Sequence, residues 1–294
     1  MTVSCHFLFR TRVLARLLLG LTTSIAVILA PGAASAATPV PFTPGPAIPR
    51  LGGFVPQGLA PWRTGTHDWL VISHYPNPGS AEHRNLISFV DRATGRVAKS
   101  VFTGGGHAGG VAVSPGFLWL ANTEGARHTV VRFTLADIER AQDGTTVSGT
   151  PLPLPASSWA TVAEGRLWVG DFAANTVYTY ALAPDGRITP AGPPQPVPVH
   201  TQGMAVTASH LLYSVSYGRG NPSQIVVTDR RSGVSHPVAA RGMTRGITTV
   251  DGTVYVNNES GAALYRDSLD GGGRAKEPVG YLQRAPLPAL TSAS

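Results

Sequence analysis

Apolar and polar positions alternate with a period of two along most of this chain, and the alternating segments come in pairs. A run of small and apolar residues is followed, after a short turn, by a run carrying an aromatic residue. Gln57-Gly58-Leu59-Ala60 precedes Trp69-Leu70-Val71-Ile72, and Gly110-Val111-Ala112-Val113 precedes Leu118-Trp119-Leu120. Trp159-Ala160-Thr161-Val162 precedes Leu167-Trp168-Val169, Gly203-Met204-Ala205-Val206 precedes Leu212-Tyr213-Ser214, and Gly246-Ile247-Thr248-Thr249 precedes Val254-Tyr255-Val256. The copies recur roughly every 43 to 52 residues, the repeat length of a four-stranded propeller blade.

A third strand is predicted after each pair, from β-branched and aromatic content. These are Leu86 to Val90, Thr129 to Phe133, Thr176 to Tyr180, Gln224 to Val227 and Ala263-Leu264-Tyr265. A fourth, more polar strand follows in most copies, led by hairpin turns such as Asp91 to Val97 and Asp185 to Ile188. Helical periodicity is confined to Thr134 to Ala141. The pattern predicts an all-β, five-bladed β-propeller of four antiparallel strands per blade over residues 57–284. A face-packed β-sandwich is the competing fold, since it shares the short-strand signature. The Pro-rich stretch 37–56 reads as extended, lying along the outside or helping to close the ring. Residues 285–294 read as a flexible tail.

The first 36 residues follow a different pattern. Arg10, Arg12 and Arg16 precede an apolar run from Leu17 to Ala30, and Ala34-Ser35-Ala36 fits an A-x-A cleavage site. The run is short of the roughly 20 residues that a spanning helix needs. The expectation is a Sec-type signal peptide cleaved after Ala36, a secreted, extracellular protein, and no stable membrane insertion after cleavage. The only cysteine, Cys5, lies in that segment, so the mature chain is expected to contain no disulfide. About 258 residues remain, enough to bury a core without covalent staples. The formal charge of +7 falls to about +4 without the three leader arginines. No basic run is present, which argues against nucleic-acid binding. A monomer is expected.

Several segments carry a resemblance: Gly106-His107-Ala108-Gly109-Gly110, Leu167-Trp168-Val169-Gly170-Asp171-Phe172, Gln202-Gly203-Met204-Ala205 and Ser216-Tyr217-Gly218-Arg219. They are similar to a family of exported, largely uncharacterised bacterial five-bladed β-propeller proteins, over roughly residues 57 to 266. Members tend to carry Ser-Glu-Gly-Ile near the fifth blade and Phe-Glu-Ser beyond it. This chain has Thr244-Arg245-Gly246-Ile247 and Asn258-Glu259-Ser260, so an acid is replaced by Arg245. The resemblance implies the fold and supplies no activity.

In a propeller the start of each first strand and the end of each second strand share one face of the disc. That places Gln57, His107, Ser158, Gln202 and Arg245 around one channel mouth, with Ser73-His74-Tyr75, Asn122-Thr123-Glu124, Asp171-Phe172, Ser216 to Arg219 and Asn258-Glu259 beside them. Such loop-rich concavities commonly hold ligands. His107, Asp171 and Glu259 are the candidates for acid/base chemistry. Gln57, His74, Glu124, Gln202, Tyr217, Arg219 and Arg245 are the candidates for ligand binding. Packing and water-filled channel roles compete with each of these assignments, and arginines beside the carboxylates would hold them ionised. Trp119 and Trp168 read as core.

The glycines around His107 lack the ending of a phosphate loop, and no Gly-x-Ser-x-Gly turn or zinc-hydrolase helix occurs. His74 and His107 lack a clustered ligand spacing. No metal and no cofactor are therefore expected. The mouth residues differ from blade to blade, which favours one composite site over a repeated lectin pocket. The expected function is binding of an extracellular glycan, cell-wall fragment or small metabolite. The alternatives are a hydrolase or lyase acting on a polysaccharide or secreted peptide metabolite, and a scaffold using the disc faces.

Overall fold

A computed structural model describes residues 38–39 and 42–292. The expected leader and its cleavage site lie outside the described residues. The chain forms five sheets of four antiparallel strands arranged in a ring, a five-bladed β-propeller. Blade one comprises Phe54–Arg63, Asp68–Pro76, Leu86–Asp91 and Val97–Phe102. Blade two comprises His107–Ser114, Phe117–Glu124, Arg127–Thr134 and Thr150–Pro153. Blade three has Trp159–Ala163, Arg166–Asp171 and Thr176–Leu182, with its outer strand broken into Ile188–Pro190 and Gln195–Pro196. Blade four has Thr201–Val206, His210–Val215, Ser223–Asp229 and Ser235–Ala240, and Thr38–Pro39 adds in parallel at its edge.

Blade five is assembled from both ends of the described chain. Its strands are Thr244–Val250, Thr253–Asn258, Tyr281–Pro286 and, outermost, Thr43–Ala47. Of the two roles read for the Pro-rich stretch, ring closure is the one its strand performs. Two expectations are corrected here. Ala263-Leu264-Tyr265 is not a strand: Ala263–Arg266 is a helical turn, preceded by a 3-10 turn over Glu259–Gly261. A three-residue apolar run carries no period that separates helix from strand. Over its described part, 285–292, the tail is not loose either, because Ala285 is buried in the third strand of blade five and Leu290, in the helix Leu287–Thr291, is fully buried. The helical pattern at Thr134 to Ala141 becomes the helix Leu135–Arg140, whose N-terminus is capped by the Thr134 hydroxyl.

Each joint between blades holds its own apolar cluster. Phe89, Leu120 and Phe133 are packed in the cluster joining blades one and two, Trp119 and Leu167 at the next joint, and Trp168 and Tyr213 between blades three and four. Ile225 and Val256 join blades four and five, and Ile72 and Tyr255 join blades five and one. Trp119 and Trp168 are thus core residues, and the Trp119 indole donates to Ser114 Oγ at 2.9 Å. At the centre the first strands contact one another in sequence around the ring. A Cβ on Gly58 would lie 2.2 Å from the Val111 nitrogen, one on Gly110 2.1 Å from the Ala160 nitrogen, and one on Gly246 2.4 Å from the Leu59 nitrogen. Only glycine permits backbones to approach this closely.

The closing joint also carries an ion network among the turns. Arg92 donates to Asp68 at 2.6 Å and to Asp251 at 2.8 Å, and Arg63 reaches Asp251 at 2.8 Å. The hydrogen bond from Arg92 holds the Asp68 carboxyl below its ordinary value of 3.8. A depressed carboxyl adds stability above the unfolded pKa and loses it as pH falls through the folded value. Arg92→Ala should cost about 1 kcal/mol at pH 7, since these groups are partly exposed. The cost should shrink below the ordinary aspartate pKa. Urea unfolding of both proteins across pH 3 to 7 measures it; a pH-independent difference would assign Arg92 a packing role instead.

Candidate functional site

The innermost strands are irregular at the positions that face the channel. Antiparallel register breaks between Pro56 and Leu59, Ala108 and Val111, Thr201 and Gly203, and Thr244 and Ile247. Each bulge contains or adjoins a mouth residue: Gln57, His107, Gln202 and Arg245. A bulge re-aims the side chain it carries, here out of the plane of strict alternation and into the channel. Serines in or just past the second strands pin the bulges. Ser73 Oγ accepts from the Gly58 N–H at 2.8 Å and donates to the Gly109 carbonyl at 2.6 Å. Ser216 Oγ donates to the Thr244 carbonyl at 2.7 Å. In blade three the strand starts after the mouth position, and Ser158 Oγ accepts from the Phe172 N–H at 3.0 Å.

These devices surround a cavity of about 380 Å³, lined by side chains from all five blades. Gln57, His107, Gln202, Tyr217, Arg219, Arg245 and Glu259 lie in its wall, as do Ser158 and Phe172. At its floor Glu259 is 3% exposed. One carboxylate oxygen accepts from Arg245 at 2.6 Å, the other from Gln57 Nε2 at 2.8 Å. Arg245 also donates to Gln202 Oε1, whose amide nitrogen reaches the Ser216 carbonyl at 3.2 Å. Gln57, Glu259, Arg245 and Gln202 thus form one polar chain across blades one, five and four. Arg245 Nε has no partner among the described residues.

His107 is accessible from the cavity, and its ring lies 4.1 Å from that of Tyr75. Crowding by protein atoms and the nearby Arg245 cation both disfavour the imidazolium, holding its pKa at about 4. His107 is therefore neutral at pH 7. The Tyr75 hydroxyl shares a 3.0 Å hydrogen bond with that of Tyr265, and burial followed by the Glu259 charge pushes Tyr75 far above its ordinary value. Arg219 lies 4.8 Å above the Tyr265 ring and is paired with Asp270.

Three expected site residues stand elsewhere. Asp171 Oδ1 accepts the N–H groups of Ala173 and Ala174 at 2.7 and 2.8 Å and so builds a turn. Glu124 lines a separate cavity beside Asn85 and Asn122, at the joint of blades one and two. His74 is wholly buried between Pro56 and Leu86 in the register, and desolvation lowers its pKa to about 3. A strand end identifies a face of the disc but not which way a side chain turns. Thr123, expected at the mouth, is in the wall, and Tyr265 and Met243 join it unforeseen. Tyr265 was obscured by its reading as part of a strand; as a helical residue it turns toward the mouth. No group of three or more His, Cys, Asp or Glu side chains suited to a metal comes together among the described residues.

No protein-family model matches the chain, and no curated protein does. Among solved structures, the chain is similar to the PQQ-bound aldose sugar dehydrogenase of Streptomyces coelicolor. Identity is 15%, the TM-score is 0.49, and the match covers 84% of this chain and 99% of that one. It is also similar to the glutaminyl cyclase of Myxococcus xanthus, with 11% identity, a TM-score of 0.44, and coverage of 75% of this chain and 90% of that one. Neither likeness bears on what this chain binds.

Proposed function

We propose that this protein is an exported propeller that binds one uncharged, hydroxyl-rich small ligand, a sugar or glycan end, in the channel-mouth cavity. The observation that carries this reading is the internal neutrality of a polar wall. Arg245 is matched by Glu259 and Arg219 by Asp270, and His107 is uncharged at pH 7. A charged ligand would have to displace a partner that is already in place. A neutral ligand finds amides, hydroxyls and an imidazole among aromatic faces, in a volume suited to one small molecule.

A second reading, a hydrolase or lyase with His107 as base, has the unprotonated imidazole in its favour, but a pKa held down at about 4 makes that imidazole a weak base at pH 7. Glu259 is a poor partner for it, since both carboxylate oxygens are engaged.

Calorimetry with a panel of monosaccharides tests the proposal. His107→Ala should weaken binding at least tenfold while changing stability by no more than about 0.5 kcal/mol, as for a side chain outside the core. Wild-type binding should persist down to about pH 5 and fall below it, as His107 takes up a proton near pH 4. Undiminished affinity in His107→Ala would remove the ligand from this cavity. Turnover of a bound saccharide, lost in the same variant, would favour the enzyme reading.

A further inference from the structure

Three aromatic rings are piled at the edge of the cavity, across the joint of blades three and four. The Phe172 and His200 centroids are 5.6 Å apart with planes 28° apart, and those of His200 and Tyr217 are 4.4 Å apart with planes 13° apart. Tyr217 is 56% exposed, an unusual condition for a large aromatic side chain that has packing partners. Phe172 and Tyr217 also belong to the cavity wall, so the pile continues the cavity outward.

The pile is held in place rather than left loose. His200 has φ +65°, a left-handed conformation that costs a non-glycine residue free energy. Its N–H is held by Asn175 Oδ1 at 3.1 Å, and its carbonyl accepts from the Ser216 N–H at 3.2 Å. The Phe172 N–H is held by Ser158 Oγ, and the Tyr217 carbonyl by Asn221 Nδ2 at 2.7 Å. All three backbones are thus pinned, one against its own torsional preference. No hydrogen bond within the protein occupies either His200 ring nitrogen among the described residues, so the edge of the pile keeps polar capacity beside its flat faces.

We infer that this pile is a second ring-binding position, and that the ligand is the end of a linear saccharide at least two sugar rings long. The inference rests on the saccharide reading of the cavity. The first ring occupies the cavity among the polar groups. The second lies outside, on the face of the Tyr217 ring turned away from His200, which backs the other face at 4.4 Å. An apolar sugar face on an aromatic ring suits a pyranose better than a flexible chain, because a rigid ring loses little conformational entropy on binding.

The test is calorimetry with three pairs: glucose with cellobiose, N-acetylglucosamine with chitobiose, and mannose with its α1,2-linked disaccharide. For the pair that binds, the disaccharide should bind about tenfold more tightly than the monosaccharide, the gain expected of one well-packed aromatic contact. His200→Asn removes the central ring with a residue that tolerates a left-handed backbone. It should erase that gain and leave monosaccharide affinity within about twofold. Tyr217→Phe keeps the ring and should keep the gain. Equal affinities for the two members of a binding pair would overturn the second position and leave the cavity reading intact. So would a gain that persists in a folded His200→Asn. Binding of none of the six sugars would overturn both readings together.

Discussion

Gly110→Val should lower the melting temperature by roughly 10 °C, the effect of about 3 kcal/mol of overpacking in a protein of this size. The reason lies in what the new Cβ meets. It would fall 2.1 Å from the Ala160 nitrogen and 2.7 Å from both the Cα and the carbonyl carbon of Trp159. These are backbone atoms of the next blade's first strand, and no rotamer moves them aside. The strand would have to retreat. Because the inner strands form a closed ring, a retreat at one joint must be absorbed at the others, where Gly58 and Gly246 make equally close approaches. Gly220→Val is the control: its φ lies outside the left-handed range and nothing is within 4 Å of its would-be Cβ. If the two variants melt together, the inner strands are not in the contact described here.

Arg245→Met should be nearly as costly, by about 3 kcal/mol at pH 7, because it leaves a buried carboxylate without its counterion. Glu259 would keep only the Gln57 amide at 2.8 Å. The double variant Arg245→Met, Glu259→Gln should recover most of the loss, since a neutral amide needs no counterion. The single variant also acquires a distinctive pH dependence. An uncompensated buried carboxyl has a folded pKa raised above its unfolded value, so the destabilisation is full at high pH. It fades as pH falls through the raised pKa and the group takes up a proton. Urea unfolding of the wild type, both single variants and the double variant at several pH values resolves this. A loss that is insensitive to pH, or is not relieved in the double variant, would mean that Arg245 matters for its packing and not for its charge.

The mouth residues were unevenly legible in the sequence. Arg245 and Gln202 are found by counting from the start of each repeat, because the bulge recurs there in four blades and turns the adjacent side chain inward. Asp171 and Glu124 occupy the matching strand ends and yet do other work, one capping a turn and one facing a different cavity. Position in the repeat specifies a strand end. The rotamer and the local turn then decide which neighbour the side chain meets, and those depend on contacts with no counterpart in the repeat.

The sequence by itself determined the number of blades, the strand pairs within them and the small residues at the hub. Each of these is local, since a blade is mostly built from strands that follow one another, and its alternation is visible within about forty residues. Tertiary structure alone decided how the ring closes, with Thr43–Ala47 pairing against Tyr281–Pro286 from the other end of the described chain. No local pattern announces a partner more than two hundred residues away. Tertiary structure also decided that Tyr265 faces the mouth, that Glu259 is paired with Arg245 and hydrogen-bonded by Gln57, and that Phe172, His200 and Tyr217 stack. The Gln57 contact and the stack join side chains from different blades, and Glu259 and Tyr265 sit in an insertion between strands of blade five whose path no repeat specifies.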